Sequence, residues 1–343
     1  EKWDEKFRFK IFERYSSLVQ NAKQTNPDLI IWSETAAPFI YGRDPYETSW
    51  LNNLADETGI PMLVGLTADF FSPKEGYHLR NRLWLIYPMA EAKYPYRLGP
   101  FYDKKHLVPF GEYVPLEKTF PFLKAPFFQG VIGAAGDYSP GEPVPPLDFQ
   151  GLDLGPLICF ESVFPYLARE KASQGADLLV VSTNDAWFGK SYAPAQHFNH
   201  SIARAVETRK PLVRAANNGI SGLIHPSGRV VYRSPLNAIF TIPLEVPVSQ
   251  HKNFTWYTRA GWIIAPLTGI GVAFFLLTRI VFSLPFLRKS KTLKPSRHST
   301  KTPHSSTKSP HSSTKSQASV NFKPSRKVRA PLNPNRKKKR KKR

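Results

Sequence analysis

Three short segments place a reactive side chain directly after a hydrophobic run: Ile31-Trp-Ser-Glu34, Tyr102-Asp-Lys104 and Leu157-Ile-Cys159. In parallel α/β sheets, functional sites assemble where strands end, so three such ends can bring their side chains to one place. A thiol is mostly protonated at neutral pH, and it becomes a nucleophile when a base or a cation lies beside it. Glu34, Lys104 and Cys159 are therefore candidates for nucleophilic chemistry on the thiol.

Cys159 is the only cysteine among the 343 residues. A single cysteine excludes an internal disulfide and a zinc site built from several cysteines. Taken alone, a lone cysteine is more typical of a small buried hydrophobic side chain. Its position at a strand end, in company with the Glu34 and Lys104 segments, favours a nucleophile instead.

Strand and helix patterns alternate around these residues. Apolar side chains at helical spacing predict helices over residues 4–26, 45–58, 163–174 and 194–209. Short apolar runs predict strands over residues 29–32, 61–66, 82–87, 154–160, 178–182, 212–215 and 222–232, with a turn at 226–228. This alternation is typical of an α/β domain.

Residues 118–150 hold several prolines and glycines and predict a long loop. Loops of that length in a compact domain are usually functional or mobile. Four phenylalanines would suit a lid over an apolar substrate, and ordinary loop packing is the alternative: Phe120, Phe122, Phe127 and Phe128.

An uncharged stretch of 19 residues, 260–278, precedes Arg279, and the apolar run then resumes as far as Leu287. That length is enough to span a bilayer, and a buried core helix is the alternative. Basic residues follow at once, from Arg288 to Lys294. By the positive-inside rule, the tail is expected in the cytoplasm and the domain on the outer side of the membrane.

The formal net charge of +22 is concentrated at one end of the chain. Residues 288–343 hold 20 of the 48 Lys and Arg residues and none of the 26 acidic ones, so residues 1–287 are nearly neutral. The tail has a seven-residue His-Ser-Ser-Thr-Lys-like repeat and ends in eight basic residues, 336–343. Such a composition predicts a disordered, solvated tail. Anionic lipid or RNA could bind it, but a nucleic-acid partner is not expected.

The Glu34, Lys104 and Cys159 segments, in this order, resemble the Glu-Lys-Cys triad of the carbon–nitrogen hydrolase (nitrilase) superfamily. Longer motifs are similar to those of bacterial apolipoprotein N-acyltransferases, and the resemblance covers residues 1–287. These motifs are Lys104-Lys-His-Leu-Val-Pro-Phe-Gly-Glu-Tyr-Val-Pro115, Asn184-Asp-Ala-Trp-Phe-Gly189, Gln196-His197, Arg204-Ala-Val-Glu207, Arg214-Ala-Ala-Asn-Asn-Gly-Ile-Ser221 and Tyr257-Thr-Arg-Ala-Gly261. The resemblance is specific because several long motifs occur in the same order.

The resemblance implies an αββα sandwich in which Cys159 forms a thioester. Glu34 would accept the thiol proton, and Lys104 would stabilise the thiolate and the oxyanion, together with the backbone N–H of Phe160. The family pattern Tyr-x-Lys-x-His-Leu selects Lys104 over its neighbour Lys105.

Further site residues follow from the same resemblance. Glu112 and Glu161 are expected to support the triad, and holding the strand-end turn is the alternative role for Glu161. Trp187 and Phe188 are candidates for the wall of an acyl pocket. Gln196 and His197 are expected to be structural, with His197 making a fixed hydrogen bond. The family requires neither a metal ion nor an organic cofactor.

The implied reaction moves an acyl chain from a membrane phospholipid to Cys159, and then to the amine of a diacylglyceryl-cysteine at the N-terminus of an apolipoprotein. The bacterial inner membrane is the expected location, with the catalytic domain on the periplasmic side. One alternative is a membrane-anchored amidase of the nitrilase type with water as acceptor. Another is a non-catalytic membrane protein whose basic tail binds lipid or nucleic acid.

The expected domains are a catalytic domain over residues 1–257, a transmembrane helix over 260–287 and a disordered basic tail over 288–343. The family has a bundle of membrane helices and one strand before the segment that begins at Lys2-Trp3. The sequence is therefore expected to be incomplete at its N-terminus.

Overall fold

A computed structural model describes residues 5–73, 76–89, 96–116, 119–120, 138–248 and 254–289. The chain divides into two compact units, Glu1–Ile280 and Val281–Arg343. The basic tail from residue 290 onward lies outside the described residues, and so do Phe122, Phe127 and Phe128 of the expected lid.

The first sheet has four strands in the order β1-β2-β3-β4. β1 (Ile30–Ile31) runs parallel to β2 (Met62–Ser72), whereas β3 (Gly76–Ile86) and β4 (Leu98–Asp103) add antiparallel. Helix α1 (Glu5–Lys23) precedes β1 in the chain, and helix α2 (Pro45–Thr58) lies between β1 and β2. α2 begins with a proline in its first turn and ends where Gly59 adopts a φ of 71°, so local sequence fixes both of its ends.

The second sheet has six strands in the order β10-β9-β8-β7-β6-β5. Its central strands β6, β7 and β8 are parallel, as expected where helices connect strands. The strands of this sheet are β5 (Leu147–Phe149), β6 (Leu152–Ile158), β7 (Leu178–Asn184), β8 (Leu212–Asn217), β9 (Gly222–Ile224) and β10 (Val230–Arg233). The connecting helices are α3 (Pro165–Ser173) and α4 (Ala193–Thr208).

Three apolar clusters define four layers. Side chains of α1 and α2 pack on one face of the first sheet. Phe12 of α1 and Leu51 of α2, for example, lie in the same buried cluster as Val64 of β2. The two sheets pack face to face, and α3 and α4 cover the outer face of the second sheet. The layers are therefore helix, sheet, sheet and helix, and the predicted α/β fold is confirmed.

The structure differs from the sequence prediction in three places. One is β4 (Leu98–Asp103), which was not among the predicted strand ranges although Lys104 follows it. The strands predicted over 61–66 and 82–87 are parts of one long hairpin, β2–β3, so the first sheet is mainly antiparallel. The loop predicted over 118–150 contains β5, in which Leu147 and Phe149 are buried and Asp148 is exposed. Three residues are too few to establish a period, and the surrounding prolines concealed this strand.

A long apolar helix follows the second sheet. α5 (Trp256–Ala260) leads through one tight turn, Gly261–Ile263, into α6 (Ile264–Lys289). The span Trp256–Phe282 runs through α5, the turn and most of α6. In the described part of the chain it is the one helical span long and apolar enough to cross a bilayer, and its most apolar 18 residues have a mean hydropathy of 2.0. Its most apolar stretch is unburied, so it does not pack as a core helix.

Candidate active site

Cys159 begins a tight turn at the end of β6. It starts the 3-10 helix Cys159–Val163 and adopts a φ of 51°, in the left-handed region. Non-glycine residues rarely adopt this conformation, which costs about 1–3 kcal/mol and persists where the surroundings impose it. Only 7% of the residue is exposed. Holding this thiol at the strand end therefore lowers the folding stability of the chain.

Lys104 follows β4 and projects its ammonium group between two carboxylates. Its Nζ lies 3.1 Å from Oε1 of Glu34 and 2.9 Å from Oε1 of Glu112. The backbone is fixed as well, because the Lys104 N–H donates to the carbonyl of Asn81 at 2.8 Å. Lys105, by contrast, directs its Nζ to Glu170 on α3 at 3.0 Å. Of the two neighbouring lysines, Lys104 is the one that meets Glu34.

Glu34 follows β1 and is held through both carboxylate oxygens. Its Oε2 accepts the backbone N–H of Asn184 at the end of β7, at 2.8 Å. Close contact between the strands requires Gly65 on β2, where a Cβ atom would lie 2.5 Å from the Ser33 carbonyl and 2.9 Å from the Glu34 Cα. The absence of a side chain at this position lets the turn that carries Glu34 lie against β2.

Asn81 connects the two carboxylates and was missed in the sequence analysis. Its Nδ2 donates to Glu34 at 2.7 Å and to Glu112 at 2.9 Å, and the residue is 3% exposed. Asparagine is depleted in strands, so an Asn in the middle of β3 was the signal that could have found it. Asn81 helps to fix both acceptors around the Lys104 ammonium group.

The site keeps Lys104 charged and the Cys159 thiol neutral. Burial lowers the pKa of Lys104, but the negative charges of Glu34 and Glu112 outweigh this effect, and the net pKa is raised. Burial, and next the charge of Glu34, raise the pKa of Cys159 to about 12, although Lys104 opposes them. At rest the thiol therefore carries its proton beside a carboxylate and an ammonium ion.

Glu112 and Glu161 occupy different positions. Glu112 touches Lys104 and also accepts the backbone N–H of Val108 at 2.8 Å, which ties its loop to the site. Glu161 is fully buried and instead accepts from the Tyr102 hydroxyl at 2.7 Å and from the backbone N–H of Ile158 at 2.7 Å. Its Oε1 also accepts the backbone N–H groups of residues 105 and 106. Glu161 thus joins the strand end that carries Lys104 to the one that carries Cys159.

The aromatic candidates lie around this centre. The Phe160 ring packs edge-on against Phe164, with centroids 4.9 Å apart. Phe188 packs edge-on against His197, whereas Trp187 is 74% exposed. An acyl-pocket role for Trp187 and Phe188 stays a prediction.

A buried polar cluster lies beside the Cys159 backbone. Ligand atoms of Cys159, Asp185 and His197 all fall within 4.8 Å of one another, an arrangement that could hold a metal ion. However, Arg214 Nη2 lies 2.9 Å from Asp185 Oδ2, so a cation there would face a guanidinium group. Hydrogen bonds and this ion pair account for the cluster without a ligand.

The sequence matches the model of a known protein family. Residues 8–250 match the carbon-nitrogen hydrolase family, and the chain belongs to that family. A crystal structure of a carbon-nitrogen hydrolase from Helicobacter pylori aligns with a TM-score of 0.48 and 15% identity, over 66% of this chain and 80% of that chain.

The chain is also similar to curated proteins that bear a more specific name. It is 38% identical over 292 residues to an apolipoprotein N-acyltransferase of Geobacter metallireducens, which covers 84% of this chain and 52% of that protein. It is 35% identical over 272 residues to one of Rickettsia prowazekii, over 77% of this chain and 52% of that protein. The chain therefore spans about half the length of these curated relatives.

Proposed function

We propose that this protein is an N-acyltransferase that carries a fatty acyl chain on Cys159 as a thioester. In this proposal, a membrane phospholipid donates the chain, and the N-terminal amine of a diacylglyceryl-modified apolipoprotein accepts it. The observation that carries the proposal is the buried arrangement of Lys104 between Glu34 and Glu112. The charges of Glu34 and Lys104 act on the pKa of the Cys159 thiol, which lies at a strained strand end. Similarity to apolipoprotein N-acyltransferases supports the choice of substrates.

In the first step, the thiol of Cys159 attacks the ester carbonyl carbon of the phospholipid while its proton passes to Glu34. The developing oxyanion is stabilised by the Lys104 ammonium group and the backbone N–H of Phe160. When the tetrahedral intermediate collapses, the C–O ester bond breaks. The proton returns from Glu34 to the leaving oxygen, so lysophospholipid departs and the acyl chain remains on sulfur.

In the second step, the amine of the apolipoprotein attacks the thioester carbonyl and gives a proton to Glu34. Breaking the C–S bond forms the amide, and Glu34 returns that proton to the Cys159 sulfur. Since the thiol pKa is raised, protonation of the departing sulfur by Glu34 is favourable, and it restores the neutral thiol of the starting state.

Both substrates are lipids, so the site must lie at a membrane. The apolar helix Trp256–Phe282 supports this location, and Trp256 and Trp262 near its start are 67% and 62% exposed. Tryptophan is favoured at the membrane–water interface. The proposal assigns residues 1–257 to a catalytic domain outside the bacterial inner membrane, 260–287 to the membrane and the basic tail 288–343 to the cytoplasm.

The acceptor distinguishes this proposal from a membrane-anchored amidase. We expect the full-length protein in phospholipid vesicles to transfer an acyl chain to a synthetic diacylated lipopeptide. A lipopeptide with an acetylated N-terminus should receive none, because its nitrogen lacks the required nucleophilicity. Mass spectrometry of both peptides reads out the transfer. Release of ammonia from small amides, without acylation of the free amine, would identify a hydrolase and contradict the proposal.

A further inference from the structure

The strained backbone at Cys159 is held at its carbonyl oxygen. The Ser162 hydroxyl donates to this oxygen at 2.9 Å, and His197 Nε2 lies 3.0 Å from the same atom. Nε2 is also 2.9 Å from Ser162 Oγ. A carbonyl oxygen can only accept, so Nε2 must carry a proton to bond it. Because Ser162 uses its own proton on the Cys159 carbonyl, it too accepts from His197.

The other side of His197 is anchored in the buried cluster. Its Nδ1 lies 2.9 Å from Asp185 Oδ1 and 2.9 Å from Arg214 Nη2. Burial raises the pKa of Asp185, but the hydrogen bond with His197 and the charge of Arg214 lower it overall, so the group is a carboxylate. Asp185 Oδ1 also accepts from the Thr183 hydroxyl at 2.9 Å. The same Thr183 side chain lowers the pKa of the Cys159 thiol.

Neither nitrogen of His197 is placed to accept the thiol proton. Nε2 bears a proton directed at the Cys159 carbonyl and Ser162, and Nδ1 faces Asp185 and Arg214. A general base needs a free lone pair within reach of the proton it removes. Although Cys159, His197 and Asp185 lie together, the hydrogen bonds of His197 and Asp185 hold the backbone carbonyl of Cys159 and do not activate its thiol.

The geometry points to His197 as a positioning residue, which together with Asp185 holds Cys159 in its left-handed conformation so that the thiol stays buried beside Glu34 and Lys104. The effect of His197 on acyl transfer rests on the proposed function. Its effect on the thiol is independent of any substrate. The charged and polar groups that act on the thiol are Glu34, Lys104, Thr183 and Asp185.

Within these 343 residues a thiol reagent can modify only Cys159, and mass spectrometry of the alkylated peptide reports on that residue alone. We would measure the rate of alkylation by iodoacetamide as a function of pH in His197→Leu, His197→Gln and His200→Gln. His200 is an exposed histidine on the same helix and serves as the matched control. Acyl transfer to the lipopeptide and the Tm of each variant are measured alongside.

His197→Leu should release the turn and expose the thiol, so its pKa falls toward the ordinary value. Alkylation at pH 8 should then rise roughly tenfold, as expected for one unit of pKa, while acyl transfer falls about 100-fold because the nucleophile is misplaced. His197→Gln keeps a donor for the carbonyl and should resemble the wild type more closely in both measurements. His200→Gln should match the wild type.

Three results would overturn this role. If His197→Leu lost acyl transfer but kept the wild-type alkylation profile, the histidine would act on a proton or a substrate. If it changed neither, the turn would not depend on it. Should the Leu variant fail to fold, His197→Gln decides: a loss of transfer beyond about 1,000-fold with unchanged alkylation is the size expected for removing a general base. A wild-type protein without acyl transfer would refute the proposed function, and alkylation would still test the positioning.

Discussion

Replacing Lys104 with methionine is expected to reduce acyl transfer by at least about 10³-fold. Removing a group that stabilises an oxyanion in a buried site typically costs 10²–10³ in rate. Lys104 is also the cation closest to the two carboxylates, so its loss changes the position of Glu34. The measurement is the initial rate of lipopeptide acylation in vesicles.

The same substitution should lower the stability of the domain. Lys104 is 1% exposed and pairs with Glu34 and Glu112, so methionine leaves two carboxylates buried without their partner. Breaking a buried ion pair from one side costs about 3–5 kcal/mol, which lowers Tm by roughly 10 °C in a domain of this size. Lys105→Met, whose ion pair with Glu170 is partly exposed, is the matched control and should change neither rate nor Tm much. Equal effects of the two substitutions would contradict the assignment of Lys104.

Replacing Glu34 with glutamine should abolish the proton transfers while preserving the shape of the site. A general base contributes about 10²–10⁴ in rate, and Glu34 is proposed to act in both steps. We therefore expect a loss of at least about 10³-fold in acyl transfer, with little change in the affinity for phospholipid. The rate of acylation is followed as a function of phospholipid concentration, so that the maximal rate and the half-saturating concentration are separated.

Glu57→Gln is a suitable control for Glu34→Gln, since Glu57 is an exposed glutamate on α2. It should acylate the lipopeptide at the wild-type rate. If Glu34→Gln kept more than a tenth of the activity, another residue would have to accept the thiol proton.

Much of the fold could be predicted from the sequence because its elements carry strong local signals. The parallel strands β6 and β7 contain buried, mainly apolar runs over residues 154–158 and 178–181, and α4 has apolar residues at helical spacing. The hairpin β2–β3 was underestimated, because its outer half lies beyond the packed core and alternates less clearly. β5 was missed because three residues carry no period.

Site residues that lie in recognisable motifs could be predicted from the sequence. Contacts between residues that come together only on folding could not. Glu34 and Lys104 were predicted to lie together, and the structure pairs them at 3.1 Å. Asn81 precedes Lys104 by 23 positions and follows Glu34 by 47, so no local pattern indicated that it would bridge Glu34 and Glu112. Glu161 lies two residues after Cys159, but its contacts with Tyr102 and backbone amides depend on how two sheets pack.

The contacts of His197 also could not be predicted from the sequence. The sequence predicted a fixed hydrogen bond for this residue, without indicating its partner. The left-handed conformation of Cys159 is a backbone property that no side-chain pattern reports. In the folded structure, His197 on α4 lies 3.0 Å from the Cys159 carbonyl, and Asp185 after β7 lies 2.9 Å from the other ring nitrogen.

The central claim is that Cys159 carries the acyl chain, and trapping the intermediate tests it most directly. Full-length protein is incubated with phospholipid in the absence of lipopeptide, quenched in acid, digested and analysed by mass spectrometry. The account predicts a fatty acyl mass on the peptide containing Cys159, which hydroxylamine removes and which disappears when lipopeptide is added. Acyl transfer to the lipopeptide by Cys159→Ser at the wild-type rate, or an acyl group found on another residue, would contradict it.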